Sequence, residues 1–415
     1  MQEGTLYSAS ASSPERIAVV DVLRAFSLFG IIVTHSAMAF LAGPAPDPQF
    51  NTFSSLDRLV SHLDTTFTFG KFFTIFSFLF GLSFAIQLGN ATRKGVAFSG
   101  RFTWRLLILL LIGFVHSLFF SGDILMIYAV LGLLLIPFRN VRSRTVVVIA
   151  LILVLNIPGL ILGIAQVSGP PPTPEQLQAR AEFGQRFAEM AQHQFDIKQS
   201  GTLAEVMAIN VVDAQLNRIG FLIFTGRLWM TFGLFLLGLC AGRMDLFRDT
   251  PANRDIFRRL LVWAGMAALV TTVITTLYPT SFALASVADV LRGFASSLQQ
   301  ASLSALYVAA VTLMFWKQPA RGLLPQLAPM GKMGLTTYLT QTAFGLIVFY
   351  GFGFGLMGRL GLAACVALGI LFFIAQIFLA RWWMRYFNLG PFEWLWRSLT
   401  YLRLQPNLRS RLSTA

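Results

Sequence analysis

The sequence predicts an all-α membrane protein: a polytopic bundle of about ten transmembrane helices with both termini in the cytoplasm. Of its 415 residues, 55% are hydrophobic and 12% are charged, and the mean hydropathy is +0.67. A soluble protein of this size carries about 25% charged residues. Apolar runs of roughly 15 to 25 residues recur along the chain, each near the length that crosses a hydrocarbon layer of about 30 Å. These runs do not alternate between apolar and polar residues as membrane strands do.

The apolar runs fall into two halves of five predicted spans each, 17–166 and 219–380. The spans are predicted at 17–41, 72–89, 102–120, 123–138, 145–166, 219–242, 257–277, 293–316, 333–351 and 360–380.

The segment between the halves, 167–218, is predicted to be an external loop. A proline-rich stretch at its start is followed by a helical pattern that brings Leu177, Phe183, Phe187 and Met190 near one face. This helix either lies on the outer membrane surface or covers an outward-facing site as a lid.

The basic residues predict the orientation. If the N-terminus is inside, 23 of the 32 Lys and Arg residues fall on the inner side, as the positive-inside rule expects. The tails 1–16 and 381–415 are then cytoplasmic. Because the charges cluster between apolar runs, the net charge of +14 indicates membrane topology and no nucleic-acid partner.

The C-terminal tail contains GPFEWLWRSLTY, in which Glu393 and Arg397 are spaced as a helical ion pair. Trp394 and Trp396 make this an interfacial anchor helix.

Several function classes lack their motifs. The sequence has no Walker A motif, zinc-ligand spacing or GxSxG, so no metal site is expected. Cys240 and Cys365 lie in apolar segments and are expected to be buried thiols. The first apolar run has no cleavage site after it, so it is expected to be retained as a helix.

Asp21 and Arg24 lie three residues apart on one face of the first span. Ionisable residues in spans are costly and usually have a partner or a function. The two side chains either form an ion pair that anchors the helix, or Arg24 faces an anionic cytosolic ligand such as a phosphate.

Two histidines are candidate bases. His35 lies eleven residues beyond Arg24, roughly 16 Å along the helix, and is either a hydrogen-bonded core residue or a general base. His62 precedes the second span and is either a surface residue or part of an outward-facing pocket.

A second pair surrounds the turn of HSLFFSGD. His116 ends the third span and Asp123 opens the fourth, so the two spans form a hairpin in which these side chains can meet. An aspartate beside a histidine fixes its tautomer and raises its basicity. The pair either holds the hairpin together or acts as a base with its orienting partner.

Further polar side chains in or near the spans either bond helices together or line a polar cavity. They are Lys71, Tyr128, Gln299, Gln300, Tyr338 and Gln341.

Motifs throughout the chain resemble the YeiB family of bacterial inner-membrane proteins, a domain of unknown function. They are RIAVVDVLRAFSLFGIIVTHSAMAF, GKFFTIFSFLFGLSFAIQLG, the hairpin RLLILLLIGFVHSLFFSGDILMIYAVLGLLLIPFR, RLWMTFGLFLLGLCAGR, GKMGLTTYLTQT and NLGPFEWLWRSLTYLR. The resemblance implies a multi-pass protein of the cell inner membrane.

That family is grouped with transmembrane acyltransferases similar to heparan-α-glucosaminide N-acetyltransferase. A more distant acyltransferase family carries Arg-x10-His on its first span, and Arg24 and His35 have that spacing. The heparan enzyme places its histidine between the first two spans, where His62 lies. The resemblance therefore implies acyl-CoA as the donor near Arg24 and Asp21, and leaves His35 and His62 both open as the base.

The sequence thus favours an acyltransferase that moves an acyl group to a hydroxyl or amine at the outer side of the membrane. His116 and Asp123 would orient the base or the acceptor, which would be a glycan, a lipid-linked compound or a small molecule. The alternative is a transporter or flippase for an anionic solute with a His116–Asp123 proton relay, and a third is a non-catalytic membrane partner. The oligomeric state stays open.

Overall fold

The computed structural model describes residues 17–43, 45, 50–211, 213–278, 286–317 and 322–409. The predicted cytoplasmic tail 1–16 lies outside the described residues, as does the end of the C-terminal tail from residue 410. Within the described ranges the chain is helical without a β-strand, apart from one isolated bridge between Phe387 and Leu408. The predicted fold class, an all-α membrane protein, is confirmed at this level.

The α-helices follow one another along the whole described chain. They are α1 (Ala18–Ala37), α2 (Ser55–Leu63), α3 (Phe72–Arg93), α4 (Ser99–Phe119), α5 (Leu125–Leu135), α6 (Ser143–Val154), α7 (Ile157–Ser168), α8 (Pro174–Ser200), α9 (Leu203–Val211), α10 (Asp213–Phe224), α11 (Arg227–Arg243), α12 (Pro251–Leu277), α13 (Val287–Lys317), α14 (Ala328–Lys332), α15 (Gly334–Phe349), α16 (Leu362–Tyr386) and α17 (Pro391–Tyr401).

Six of the described helical segments are long and apolar enough to cross a membrane, and eight if each of two bent helix pairs is one span. Ten spans stay a prediction. Three of the predicted spans correspond to the short helices α5, α11 and α15, of 11, 17 and 16 residues. A helix rises about 1.5 Å per residue, so each is shorter than the hydrocarbon layer.

Two predicted spans are interrupted. The span 145–166 bends by 44° between α6 and α7, where Asn156 adopts a left-handed backbone conformation. The span 219–242 is divided into α10 and α11 by Gly226, also left-handed with φ of 71°. A Cβ on Gly226 would lie 2.5 Å from the Asn156 amide, so the two breaks pack against each other and this position requires glycine.

The segment between the two halves is helical, as predicted, from Pro174 to Ser200. Thr173 starts α8 with a capping box. Leu177, Phe183 and Phe187 are exposed on its first half, and its second half is partly buried. The predicted external loop also contains α9, which with α10 forms the second bent apolar pair at 47°.

α1 is the central helix and packs against α3, α13, α14, α15 and α16. α3 and α11 run parallel to each other and approach closely at glycines. A Cβ on Gly81 would lie 1.9 Å from the Phe235 carbonyl, and one on Gly238 would lie 2.0 Å from the Phe78 carbonyl. Small residues allow such backbone contact between membrane helices. Because α1 is central, Arg24 and His35 lie within the core of the bundle.

Candidate functional site

A cavity of about 2030 Å³ runs along α1 through the bundle. Near the start of α1 it is lined by Asp21, Arg24 and a group of basic side chains, which we call the basic end; these are Arg101, Arg105, Arg243, Lys332 and Arg397. Near the end of α1 it is lined by polar side chains that we call the histidine end; these are Thr34, His35, Ser121, Asp123, Arg218 and Arg227. One continuous space thus joins the predicted residues Arg24 and His35.

Arginine–aromatic contacts form the basic end. The Arg105 guanidinium lies 4.0 Å from the ring centroid of Trp396, and those of Arg101 and Arg397 lie 5.5 and 5.9 Å from that of Tyr401. None of the three guanidinium groups makes a hydrogen bond or ion pair with the part of the chain that the structure describes. Aromatic faces hold them while their N–H groups stay available.

Asp21 and Arg24 form the predicted ion pair, with 2.7 Å between Arg24 Nη1 and Asp21 Oδ1. Arg24 Nη2 donates a second hydrogen bond to Ser83 Oγ at 2.7 Å, which ties α1 to α3. Asp21 is 1% exposed. The pair therefore anchors α1, and Arg24 still lines the cavity.

Glu393 does not pair with Arg397 in the described structure, so that predicted helix pair is wrong. Its carboxylate instead accepts hydrogen bonds from the backbone N–H groups of Leu335 and Thr336 and from the Thr336 hydroxyl, at 2.6, 3.1 and 2.6 Å. Four orphan N–H groups at a helix start attract a carboxylate more strongly than a surface arginine does. Burial raises the pKa of Glu393, and α17 is fixed over the start of α15.

His35 faces the histidine end of the cavity. Its ring lies edge-on to Phe40 and Phe120, with centroid distances of 5.4 and 5.3 Å. Within the described residues neither ring nitrogen makes a hydrogen bond. In the described part of the chain, packing alone thus positions the imidazole, and both nitrogens are available to a molecule in the cavity.

His116 and Asp123 meet across the hairpin, as predicted. His116 Nδ1 lies 2.8 Å from Asp123 Oδ1, and its Nε2 lies 3.0 Å from Thr342 Oγ1. Asp123 lines the cavity, whereas His116 and Thr342 lie behind it. His116 contacts the same Phe120 ring as His35, at 5.9 Å, so it supports the cavity wall beside His35.

Arg218 completes the network around Asp123. Its Nη1 donates to the Asp123 carbonyl at 2.8 Å and lies 3.9 Å from the carboxylate, whose Oδ2 also accepts from the Met126 N–H at 2.9 Å. The carboxylate is therefore held from three directions.

His62 is not brought to the cavity. It lies exposed in the last turn of α2, because the chain between α1 and α3 forms a separate short helix on the surface. Of the two candidate bases, the fold brings only His35 to the cavity.

Some of the other predicted polar residues line the cavity, and the rest make hydrogen bonds within or between helices. Tyr128 and Tyr338 line the cavity. Two of the glutamines hydrogen-bond neighbouring helices together. Gln299 donates to Thr272 and Thr275, and Gln341 donates to Gln376 and the Leu28 carbonyl. Lys71 is buried and donates to the Thr65 carbonyl, and Gln300 donates to the Ser296 carbonyl in its own helix.

The chain just after α1 adopts a rare conformation, which we call the left-handed segment (39–42). Ala39, Phe40 and Ala42 have φ between 44° and 57°. Three consecutive carbonyls of this segment accept hydrogen bonds. The carbonyl of residue 40 accepts from Tyr350 Oη at 3.0 Å, that of residue 41 from Lys198 Nζ at 2.6 Å, and that of residue 42 from Ser121 Oγ at 3.2 Å. Three distant elements thus hold the segment that packs Phe40 on His35.

Several site residues were missed by the sequence interpretation: Arg101, Arg105, Lys198, Arg218 and Thr342. Lys198 and Arg218 lie in the segment that was predicted to be an external loop, where charge carries little information. Thr342 resembles any other threonine in an apolar run. The position of Arg218, directly before an apolar stretch, was the one sequence feature that could have indicated its role in the site.

Among the described residues, no three His, Cys, Asp or Glu side chains cluster as metal ligands would.

Comparison with known proteins assigns the family. A family model described as "Protein of unknown function (DUF418)" matches residues 241–403. The uncharacterized protein YxaH of Bacillus subtilis (strain 168) is 30% identical over 408 residues, which cover 94% of this chain and 96% of that protein. The uncharacterized protein YeiB of Escherichia coli (strain K12) is 30% identical over 346 residues, 80% of this chain and 81% of that protein. No solved structure matches this chain. The chain therefore belongs to the YeiB (DUF418) family of membrane proteins.

Proposed function

We propose that this protein is a membrane acyltransferase of the cell inner membrane that uses acyl-CoA as its donor. The observation that carries the proposal is the cavity. Among the described residues, it joins three arginines without a hydrogen-bond or ion-pair partner at the basic end to an imidazole without a hydrogen bond at the histidine end. A donor with an anionic head and a long arm fits such a space.

The basic end would bind the phosphates of acyl-CoA. Guanidinium groups pair with phosphate oxygens in a planar, two-bond geometry. The N–H groups of Arg101, Arg105 and Arg397 make no hydrogen bond to the described part of the chain. Arg24, whose charge is shared with Asp21, would add a further cation. We take this end as cytosolic, since acyl-CoA is a cytosolic compound and the N-in orientation predicted from the basic residues puts it there.

His35 would act as the general base at the other end of the cavity. It would take the proton from an acceptor hydroxyl or amine as that oxygen or nitrogen attacks the thioester carbonyl. The new ester or amide bond forms, the carbon–sulfur bond breaks, and the CoA thiolate leaves and takes up the proton. About eleven residues of helix separate His35 from Arg24, roughly 16 Å, which the arm of acyl-CoA can span.

His116 and Asp123 would be positioning residues. They hold Phe120, and thereby the ring against which His35 packs. The Thr342 hydroxyl is hydrogen-bonded to His116, an arrangement that could in principle make it a nucleophile for a covalent acyl-enzyme. Neither side chain lines the cavity, however. We therefore propose direct transfer; an acyl group trapped on Thr342 would overturn this step.

The test is binding of CoA thioesters to the full chain in nanodiscs, followed by thermal shift. We expect wild type to be stabilised by a CoA thioester, Arg105→Gln to lose the shift, and Arg258→Gln to retain it. Arg258 is an exposed arginine that pairs with Asp255 and does not line the cavity. A ligand at about 100 times its Kd adds about 2.7 kcal/mol, which such an assay resolves.

A second variant separates binding from chemistry. His35→Ala is expected to bind the thioester as wild type does and to form no product, because the base and not the donor site is removed. Equal thermal shifts in wild type and Arg105→Gln, or none at all, would contradict the donor site.

A transporter is the second candidate, and the same cavity favours it because the space reaches from one end of α1 to the other. In that case proteoliposomes would take up an anionic solute in response to a pH gradient and would be indifferent to CoA. Such uptake, together with no CoA binding, would replace the acyltransferase by the transporter.

A further inference from the structure

Arg227 sits in a cage of three aromatic rings at the histidine end. Its guanidinium carbon lies 4.6 Å from the ring centroid of Phe69, 5.3 Å from that of Phe73 and 5.0 Å from that of Phe221. The rings come from three places: the turn before α3, α3 itself and α10. The fold therefore converges on this one cation.

The Arg227 guanidinium has no polar partner in the part of the chain that the structure describes. Across the described ranges it makes no hydrogen bond and no ion pair, although it is half-buried and lines the cavity. Because the Arg227 side chain lines the cavity, a molecule in the cavity can reach it. Aromatic faces stabilise the charge without satisfying its five N–H groups.

The neighbouring charges are already engaged. Arg218 is held by Asp123, Asp64 accepts a hydrogen bond from Thr34, and Lys71 donates to the Thr65 carbonyl. No described carboxylate lies within ion-pair distance of Arg227. An anionic ligand would therefore meet an uncompensated cation.

The start of α11 adds to this potential. Arg227 is the first residue of that 17-residue helix, and Gly226 before it provides no side-chain cap. The positive end of the helix dipole adds to the positive potential around Arg227.

We propose that Arg227 binds the phosphate group of an anionic amphiphile that enters the cavity at its histidine end. Phe69 and Phe221, 38% and 44% exposed, offer apolar surface directly beside the cation, as a molecule with a charged head and a hydrocarbon tail requires. If the proposed acyltransferase function is right, this amphiphile is the acyl acceptor. The binding of the amphiphile at Arg227 does not depend on the proposed function.

The experiment measures the thermal stability of the full chain in a non-ionic detergent without CoA. Three probes are titrated: dihexanoyl phosphatidic acid, dihexanoyl phosphatidylcholine and inorganic phosphate. Wild type is expected to be stabilised most by the phosphatidic acid, and its affinity should fall as salt is added because the contact is electrostatic.

Three variants locate the site. Arg227→Gln should bind the phosphatidic acid about tenfold more weakly or worse, since hydrogen bonds to a charged group are lost. Arg227→Lys keeps the charge but not the planar fork and should be intermediate. Arg359→Gln is the matched control, an exposed arginine outside the cavity lining, and should bind as wild type does.

Each outcome decides the proposal. Equal affinity in wild type and Arg227→Gln would overturn it. Equal stabilisation by inorganic phosphate and by the phosphatidic acid would leave the anion site but overturn the amphiphile. If Arg227→Gln fails to fold, Arg227→Lys and the salt dependence of wild type test the same contact. Because CoA is absent, a failed donor site cannot produce any of these results.

Discussion

Lys198 shows at the scale of one residue how this fold treats charge. Its side chain is fully buried at 0% exposure, and its amine donates to the Leu41 carbonyl and to Ser121 Oγ. Both partners are neutral. Burial therefore lowers the pKa of Lys198 from 10.5 to about 7, because no carboxylate among the described residues offsets the loss of water.

This predicts a pH-dependent stability. Between pH 7 and 10.5 the unfolded chain holds a proton on Lys198 that the folded chain lacks. The free energy of unfolding should then rise with pH across that window by up to about 1.4 kcal/mol per pH unit, and Lys198 should add no slope below it. Melting curves from pH 6 to 10 should show a smaller rise of the free energy of unfolding with pH in Lys198→Met than in wild type.

The control is Lys317→Met, which removes an exposed amine and should keep the wild-type slope. Identical pH profiles for wild type and Lys198→Met would contradict the prediction.

Local sequence predicted some contacts of the site and not others. His116 and Asp123 could be paired from sequence because one short turn separates them. Arg24 and Asp21 could be paired from helical spacing. The contact of Arg218 with Asp123 spans 95 positions, and that of Lys198 with the Leu41 carbonyl spans 157. No local pattern encodes such distances, since they depend on how the helices pack.

At the scale of elements, a close backbone contact joins α3 and α11. Gly81 and Gly238 let the two backbones touch, and the pair forms one wall of the cavity. Helix positions were predictable from apolar runs, whereas the breaks at Asn156 and Gly226 were not. Each break adopts a left-handed conformation and packs against the other, and an apolar run does not reveal it.

Adding one methyl group at this contact should destabilise the protein. In Gly81→Ala the new Cβ would lie 1.9 Å from the Phe235 carbonyl, so the helices must separate, at a cost of about 1–3 kcal/mol or more. Gly89→Ala on the same helix places its Cβ in open space and should be neutral or gain about 1 kcal/mol from helix propensity. Thermal unfolding of the two variants in detergent compares them directly, and equal melting temperatures would contradict the close contact.

At the scale of the whole molecule, the cavity has two chemically different ends, one basic and one built around His35. The fold class was predictable because composition and run length report the solvent that surrounds the chain. The cavity was not, because its lining combines residues from the first and last helices, and only the assembled bundle defines it.

The two ends should face opposite sides of the membrane. Arg359 and Arg403 are exposed, and the predicted orientation puts them outside and inside respectively. The native thiols Cys240 and Cys365 are buried, so a membrane-impermeant maleimide should label Arg359→Cys in intact cells and Arg403→Cys only after permeabilisation. Labelling of both, or of neither, in intact cells would contradict the N-in, C-in topology.

The left-handed segment has a consequence for biosynthesis. Its carbonyls emerge from the ribosome early, but two of their partners, Lys198 and Tyr350, are made about 160 and 310 residues later. Until then those carbonyls must hydrogen-bond to water or remain unsatisfied in an apolar layer, which is costly. The surroundings of His35 are therefore completed only when most of the chain has been inserted, so a prematurely terminated chain would contain the histidine without its finished pocket.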